Sequence, residues 1–120
     1  MPIQRKRDSE LADQLFEAGR ARARQHRLKF RPGATSQLRA LSNSGAQKLL
    51  VAAKAKPADA RDAFVRGAAR VATEAMVTLI DEMTSARFRL PNYLDSHPDS
   101  IGEQTLSEAL NLLCPLWPFC

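Results

Sequence analysis

Apolar residues recur at three- and four-residue steps through most of the chain and nowhere alternate for long, so the pattern predicts helices. The longest such stretch runs from Asp59 to Phe88. Val65, Ala68, Ala72, Met76, Leu79, Met83 and Ala86 form one stripe along it, with Phe64, Val71 and Ala75 beside them. A helix of about 25 residues is roughly 37 Å long, enough to cross a small domain. This stretch is predicted as a central helix, with Gly67, Ala68, Ala72 and Ala75 small enough to admit another backbone closely.

The remaining pattern predicts shorter helices around it. Asp8 or Ser9 caps a first helix with Leu11, Leu15 and Ala18 inward and Phe16 on its shoulder. That helix is expected to run from about residue 9 to residue 31, where Arg31-Pro32-Gly33 breaks it. Thr35 or Ser36 then starts a short helix carrying Leu38 and Leu41, and Ser42-Asn43-Ser44-Gly45 interrupts. Ser44 with Gln47 fits a capping box for a further helix with Leu49, Leu50 and Ala53 inward, closed by Lys54-Ala55-Lys56-Pro57. Asp59 with Asp62 opens the central helix. Residues 89–99 read as a long loop. Ser100 with Glu103 makes a second capping box, for a last helix bearing Ile101, Leu106, Ala109, Leu110 and Leu113. Pro115 ends it, and residues 115–120 form an apolar tail holding Trp117 and Phe119. The expected fold is all-α: a single domain over residues 1–120, a compact bundle of four or five helices around one long central helix.

Charge changes this picture more than composition does. The chain is 44% hydrophobic and 26% charged, ordinary globular material. Residues 1–70 carry 16 Lys or Arg against 6 Asp or Glu, whereas residues 71–120 carry 2 against 7. Such polarity favours a polyanionic partner for the first half. Its densest part is Arg20, Arg22, Arg24, Arg27, Lys29 and Arg31, six basic residues within twelve positions. If the first helix runs on, Arg20, Arg24, Arg27 and Arg31 form a row that can track phosphates. The plainer reading is a solvated face whose cations complement the negative end of the helix dipole. Little aromatic residue interleaves the row beyond Phe30, so neither base-specific reading nor single-strand stacking is indicated.

Catalytic chemistry finds no such support. His26 lies in the arginine row and His97 in the long loop, and nothing in sequence joins either to Cys114, Cys120 or a carboxylate. A zinc site would have to recruit ligands from three distant regions. Asp81 and Glu82 point about 100° apart on a helix, and no glycine-rich phosphate loop is present. The expectation is a non-enzymatic protein without metal or cofactor. Two cysteines, no apolar run of 18 residues and no hydrophobic leader segment suggest an intracellular setting, in cytoplasm, nucleoid or nucleus, with no membrane partner. Trp117 and Phe119 read either as packing on the domain or as a partner anchor.

The order of a Phe30-Arg31-Pro32-Gly33 turn, Leu38-Arg39, Leu49-Leu50-Val51 and a long helix with Glu74-Ala75-Met76-Val77 and Asp81-Glu82 resembles a core histone. The resemblance spans residues 29–113 and implies paired subunits and DNA wrapping. The loop from Arg89 to Asp99 is longer than the family's second loop, and the last helix lacks its basic residues. The function expected from the residues themselves is nucleic-acid binding through the basic half, as a subunit of a nucleoprotein assembly. The alternative is an adaptor or inhibitor, presenting the basic face to an acidic protein surface or the apolar tail to a groove. Self-association of the basic half of one copy with the acidic half of another is a further reading.

Overall fold

A computed structural model describes the backbone of residues 2–84 and 100–113 and the side chains of residues 9–84 and 100–111. The order of elements is α1 (Pro2–Gln25), β1 (Lys29–Phe30), α2 (Pro32–Lys54), a single 3-10 turn (Ala58–Ala60), α3 (Arg61–Met83), β2 (Ser100–Ile101) and α4 (Glu103–Leu113). The described residues form an all-α bundle of four helices with one two-stranded parallel sheet, in which Lys29 pairs with Ser100 and Phe30 with Ile101. α3 lies against all three other helices, and α1 packs broadly on both α2 and α3. Arg22 of α1 reaches Asp81 of α3, while Glu10 and Leu11 lie beside Asp62 and Val65, so α1 and α3 run parallel; Gly19 meets Leu38 and Leu11 lies beside Leu50, so α2 runs antiparallel to both.

Burial follows the helical pattern with some shifts. Leu11, Leu15 and Phe16 of α1, Leu38 and Leu49 of α2, Ala72, Met76, Leu79 and Met83 of α3, and Ile101, Leu106 and Ala109 join one core. Ala69 and Ile80, outside the expected stripe, are buried too, while Val71 is 54% exposed. The expected second row therefore splits, because the face presented to α1 and α2 is rotated away from Val71. Gly67 is exposed and a Cβ there would meet nothing within 4 Å, so it is not a close-packing glycine. That role falls to Gly19 of α1, where a Cβ would stand 3.1 Å from Met76 and 3.4 Å from Leu38, the point at which three helices meet.

Several boundaries differ from the sequence reading. α1 begins at Pro2, so Asp8 and Ser9 lie within it rather than capping it. Residues 32–54 form one helix where two short ones were expected. Ser42 is buried and its hydroxyl donates to the Leu38 carbonyl at 2.8 Å, satisfying itself without breaking the helix. Gly45 and Ala46 are buried beside it, so packing outweighs the low helix propensity of the Asn43-Ser44-Gly45 run. The Ser44–Gln47 capping box is thus mid-helix. α3 starts at Arg61 behind the 3-10 turn, with Ala60 at the cap and no side-chain cap bond. α4 starts at Glu103, where the Gly102 carbonyl accepts from the Leu106 N–H, and Ser100 stands upstream in β2 instead of capping the helix. Ala86, Phe88, the expected loop at residues 89–99 with His97, the inward Leu113 side chain, Cys114 and the tail with Trp117 and Phe119 lie outside the described residues.

Candidate nucleic-acid interface

The basic run does not form a continuous helical row. α1 stops at Gln25, and the Leu28 N–H donates to the Ala23 carbonyl (2.8 Å) while the Arg27 N–H donates to that of Arg24 (2.9 Å). These two bonds form a Schellman closure, which needs a left-handed residue after the cap. Arg27 fills that position with φ 60°. Buried Leu28 then turns the chain into β1 over buried Ala23. The helix expected over residues 9–31 is therefore three pieces: the last turns of α1, a left-handed turn, and a strand leading to α2.

This division sorts the six cations. Arg22 is the most committed: Nε donates to Asp81 Oδ1 at 2.7 Å, Nη2 to Oδ2 at 3.0 Å, and Nη1 to Gln25 Oε1 at 2.8 Å. Arg31 caps α2 from an extended conformation, its carbonyl accepting from the Thr35 N–H, and its Nε donates to Ser100 Oγ at 3.3 Å. Both side chains are half-buried and tie elements together. The other four face outward. Arg20 and Arg24 flank Glu17 at 3.8 and 4.0 Å, and Arg20 also lies over the Phe16 ring, 5.5 Å from its centroid. Arg27 and Lys29 are exposed and have no side-chain partner among the described residues. The opposite end of the bundle adds further exposed cations in Lys54, Lys56 and Arg61.

Asp81 is the residue that sequence reasoning missed. His26 Nε2 lies 2.7 Å from its Oδ1, so one carboxylate receives an arginine and a histidine from the end of α1. The hydrogen bond from Arg22 holds the Asp81 carboxyl below its usual range against the opposing effect of partial burial, and the bond to His26 acts in the same sense. The same bond to Asp81 raises Arg22. Arg22 and His26 are one turn apart and therefore share a helix face, a signal visible in sequence. Their acceptor is 59 and 55 positions away, which is not. With its oxygens engaged by two donors, Asp81 is a structural acceptor that joins the ends of α1 and α3.

Among the described residues no group of three or more His, Cys, Asp or Glu is placed to hold a metal ion, and no helix is long and apolar enough to cross a membrane. The chain matches no protein-family model, no curated protein and no solved structure.

Proposed function

We propose that the protein binds nucleic acid through phosphate contacts from Arg20, Arg24, Arg27 and Lys29, with Arg22 and Arg31 holding the surface that presents them. The observation that carries this reading is the sorting of the run: four of its six cations stay exposed while two are engaged within the fold. A cation kept only to neutralise the fold's own acid would sit like Arg22, on a carboxylate of another element. Phosphate contacts position a protein without reading sequence. Phe16 is buried under Arg39, whose guanidinium lies 3.9 Å from the ring centroid, and Phe30 packs half-buried on the core. Neither ring is offered to an unstacked base, which favours a duplex backbone over single-strand stacking. The resemblance to core histones points to the same class of partner.

The test is the salt dependence of binding to mixed-sequence duplex DNA. Each phosphate contact contributes about −0.9 to the logarithmic slope. Changing Arg20, Arg24 and Arg27 together to Gln should flatten the slope by roughly 2 to 3 units, with affinity lost about equally for different sequences. Glu17→Gln, which frees Arg20 and Arg24, should raise affinity. A parent protein that does not bind duplex at ~50 mM salt, or a triple variant that binds as the parent does, overturns the proposal and leaves an acidic protein surface as the polyanion.

A further inference from the structure

We propose that the protein grips one duplex at two places about a helical turn apart, the second being a cluster of Lys54, Lys56 and Arg61 at the opposite end of the bundle from the basic run. The inference rests on the duplex-binding reading above and extends its contact surface. Arg61 Nε donates to the Lys56 carbonyl at 3.0 Å and its Nη2 to that of Lys54 at 3.4 Å, so the end of α2 and the start of α3 hold three cations in one turn. The Lys56 ammonium lies 5.1 Å from the Phe64 ring centroid. These contacts fix the cations without neutralising them: among the described residues none of the three forms an ion pair with a carboxylate, although Asp59 and Asp62 are near in sequence. The negative end of the α2 dipole is equivalent to about half a charge, far less than three cations. Every residue from 54 to 63 is exposed, and apart from the charged ones all are alanine or proline. Such a surface lets a broad, rigid polyanion come close.

The two clusters lie along one face. Arg20 of α1 and Arg39 of α2 both stand over the Phe16 ring, 5.5 and 3.9 Å from its centroid, so the outward flanks of these two helices form a common surface there. From Arg39 the same flank of α2 continues through exposed Asn43 and Gln47 to Lys54, by helical spacing. α1 runs the other way, from Arg20 to Arg24. At about 1.5 Å per residue, Arg24 and Lys54 are roughly 28 Å apart along the face, with Arg27 and Lys56 following at either end. One turn of duplex advances about 34 Å. A duplex laid along this face therefore brings a phosphate backbone to each cluster and turns a groove toward the stretch between. That stretch needs no free cation and has none: Arg39 is bonded to Asp13 at 2.6 Å, and Asn43 and Gln47 are uncharged.

The test uses the full chain and a mixed-sequence duplex of about 20 base pairs, two helical turns. Lys54→Gln with Lys56→Gln should flatten the logarithmic salt slope by roughly 1.8 units, while the helical circular dichroism and thermal midpoint stay as in the parent. Lys54→Arg with Lys56→Arg should keep the parent slope. Asn43→Asp, between the clusters, should weaken binding more than Thr78→Asp, an equal change of charge at an exposed position of α3 two turns on from exposed Val71. A slope that responds to Arg20, Arg24 and Arg27 but not to the lysine pair overturns this proposal and leaves the duplex-binding reading standing, whereas a parent that does not bind duplex overturns both. Equal responses at Asn43 and Thr78 would reduce the effect to net charge and remove the face. A tethered duplex saturated with the parent should capture no second, labelled duplex. Capture would put each cluster on a different duplex and overturn the single grip.

Discussion

The two ends of the bundle are closed by different means. Where α1 and α3 finish, the ties join residues far apart in the chain: Arg22 and His26 to Asp81, Arg31 to Ser100, Gln37 to Ser107, separated by 59, 55, 69 and 70 positions. At the other end, where α2 turns into α3, local polar links join neighbouring turns of the chain. Arg61 donates to the carbonyls of Lys56 and Lys54, and the Lys56 ammonium lies 5.1 Å from the Phe64 ring centroid. Between the helices there, Leu11, Leu50, Val65 and Ala69 floor an open groove of about 450 Å³ rimmed by Glu10, Gln14, Asp62 and Arg66. A turn of a few residues brings α2 and α3 together at small loop-closure cost. The parallel pair α1 and α3 has no such connection at its far end, and there directional polar bonds fix the register.

The core between the ends should respond as one body. Ala72 is fully buried at mid-helix, and Ala72→Glu would place an unpaired charge against α1, at a cost of several kcal/mol. Urea unfolding should show the loss, with amide-exchange protection falling at both ends together. Unchanged stability would mean this face is not core.

Asp81→Asn should act on one end only. A carboxyl whose folded pKa is depressed contributes stability that is present above its unfolded value, about 3.9, and lost as pH falls through the lower folded value. Asp81 is depressed chiefly by Arg22. The parent should therefore lose stability more steeply than the variant below about pH 4. The side chains of Arg22 and Asp81 are 36% and 39% exposed, so solvent screening keeps the difference modest. Exchange protection at residues 22–28 and 79–83 should drop in the variant near neutral pH, with the groove end unaffected. Equal acid sensitivity in both proteins would remove Asp81 as the tie.

The same contrast decides what could be read in advance. Pro32 and Pro57 announced the breaks before α2 and α3, and three- and four-residue spacing placed Leu15, Leu38, Met76 and Leu106 inside. Those signals are local, and local physics fixes them. The Arg22–His26–Asp81 tie needs a partner from another helix, and strands of two residues have no alternation to show. Ser42 misled in an instructive way, since a serine that breaks a solvated helix is harmless when buried and bonded one turn back. The six cations looked equivalent in sequence, and only the left-handed turn at Arg27 and the position of Asp81 divide them. Gly67 was expected at a close approach of helices, and the structure gives that role to Gly19 instead. Gly67→Ala should gain about 0.5–1 kcal/mol from helix propensity alone. Gly19→Ala gains the same term but crowds Met76 at 3.1 Å, and overpacking costs typically 1–3 kcal/mol. Its net effect should be a loss of about 1 kcal/mol, and two gains in thermal midpoint would mean the three-helix contact is looser than described.

The smallest expected effect separates architecture from binding at the closed end. Arg27 holds φ 60° after the α1 cap, a conformation that costs an L-residue with a Cβ roughly 1 kcal/mol and that glycine adopts freely. Arg27→Gly keeps the Schellman bonds from Leu28 and from residue 27 itself, because both donors are backbone N–H groups. Stability should rise by about 1 kcal/mol. Removing an outward cation should at the same time weaken duplex binding and flatten its salt slope by about 0.9. The two readouts therefore move in opposite directions, which a generally damaged protein cannot imitate. A loss of stability would contradict the left-handed closure of α1, whereas a gain in stability with unchanged binding would take Arg27 out of the interface and leave Arg20, Arg24 and Lys29 to carry it.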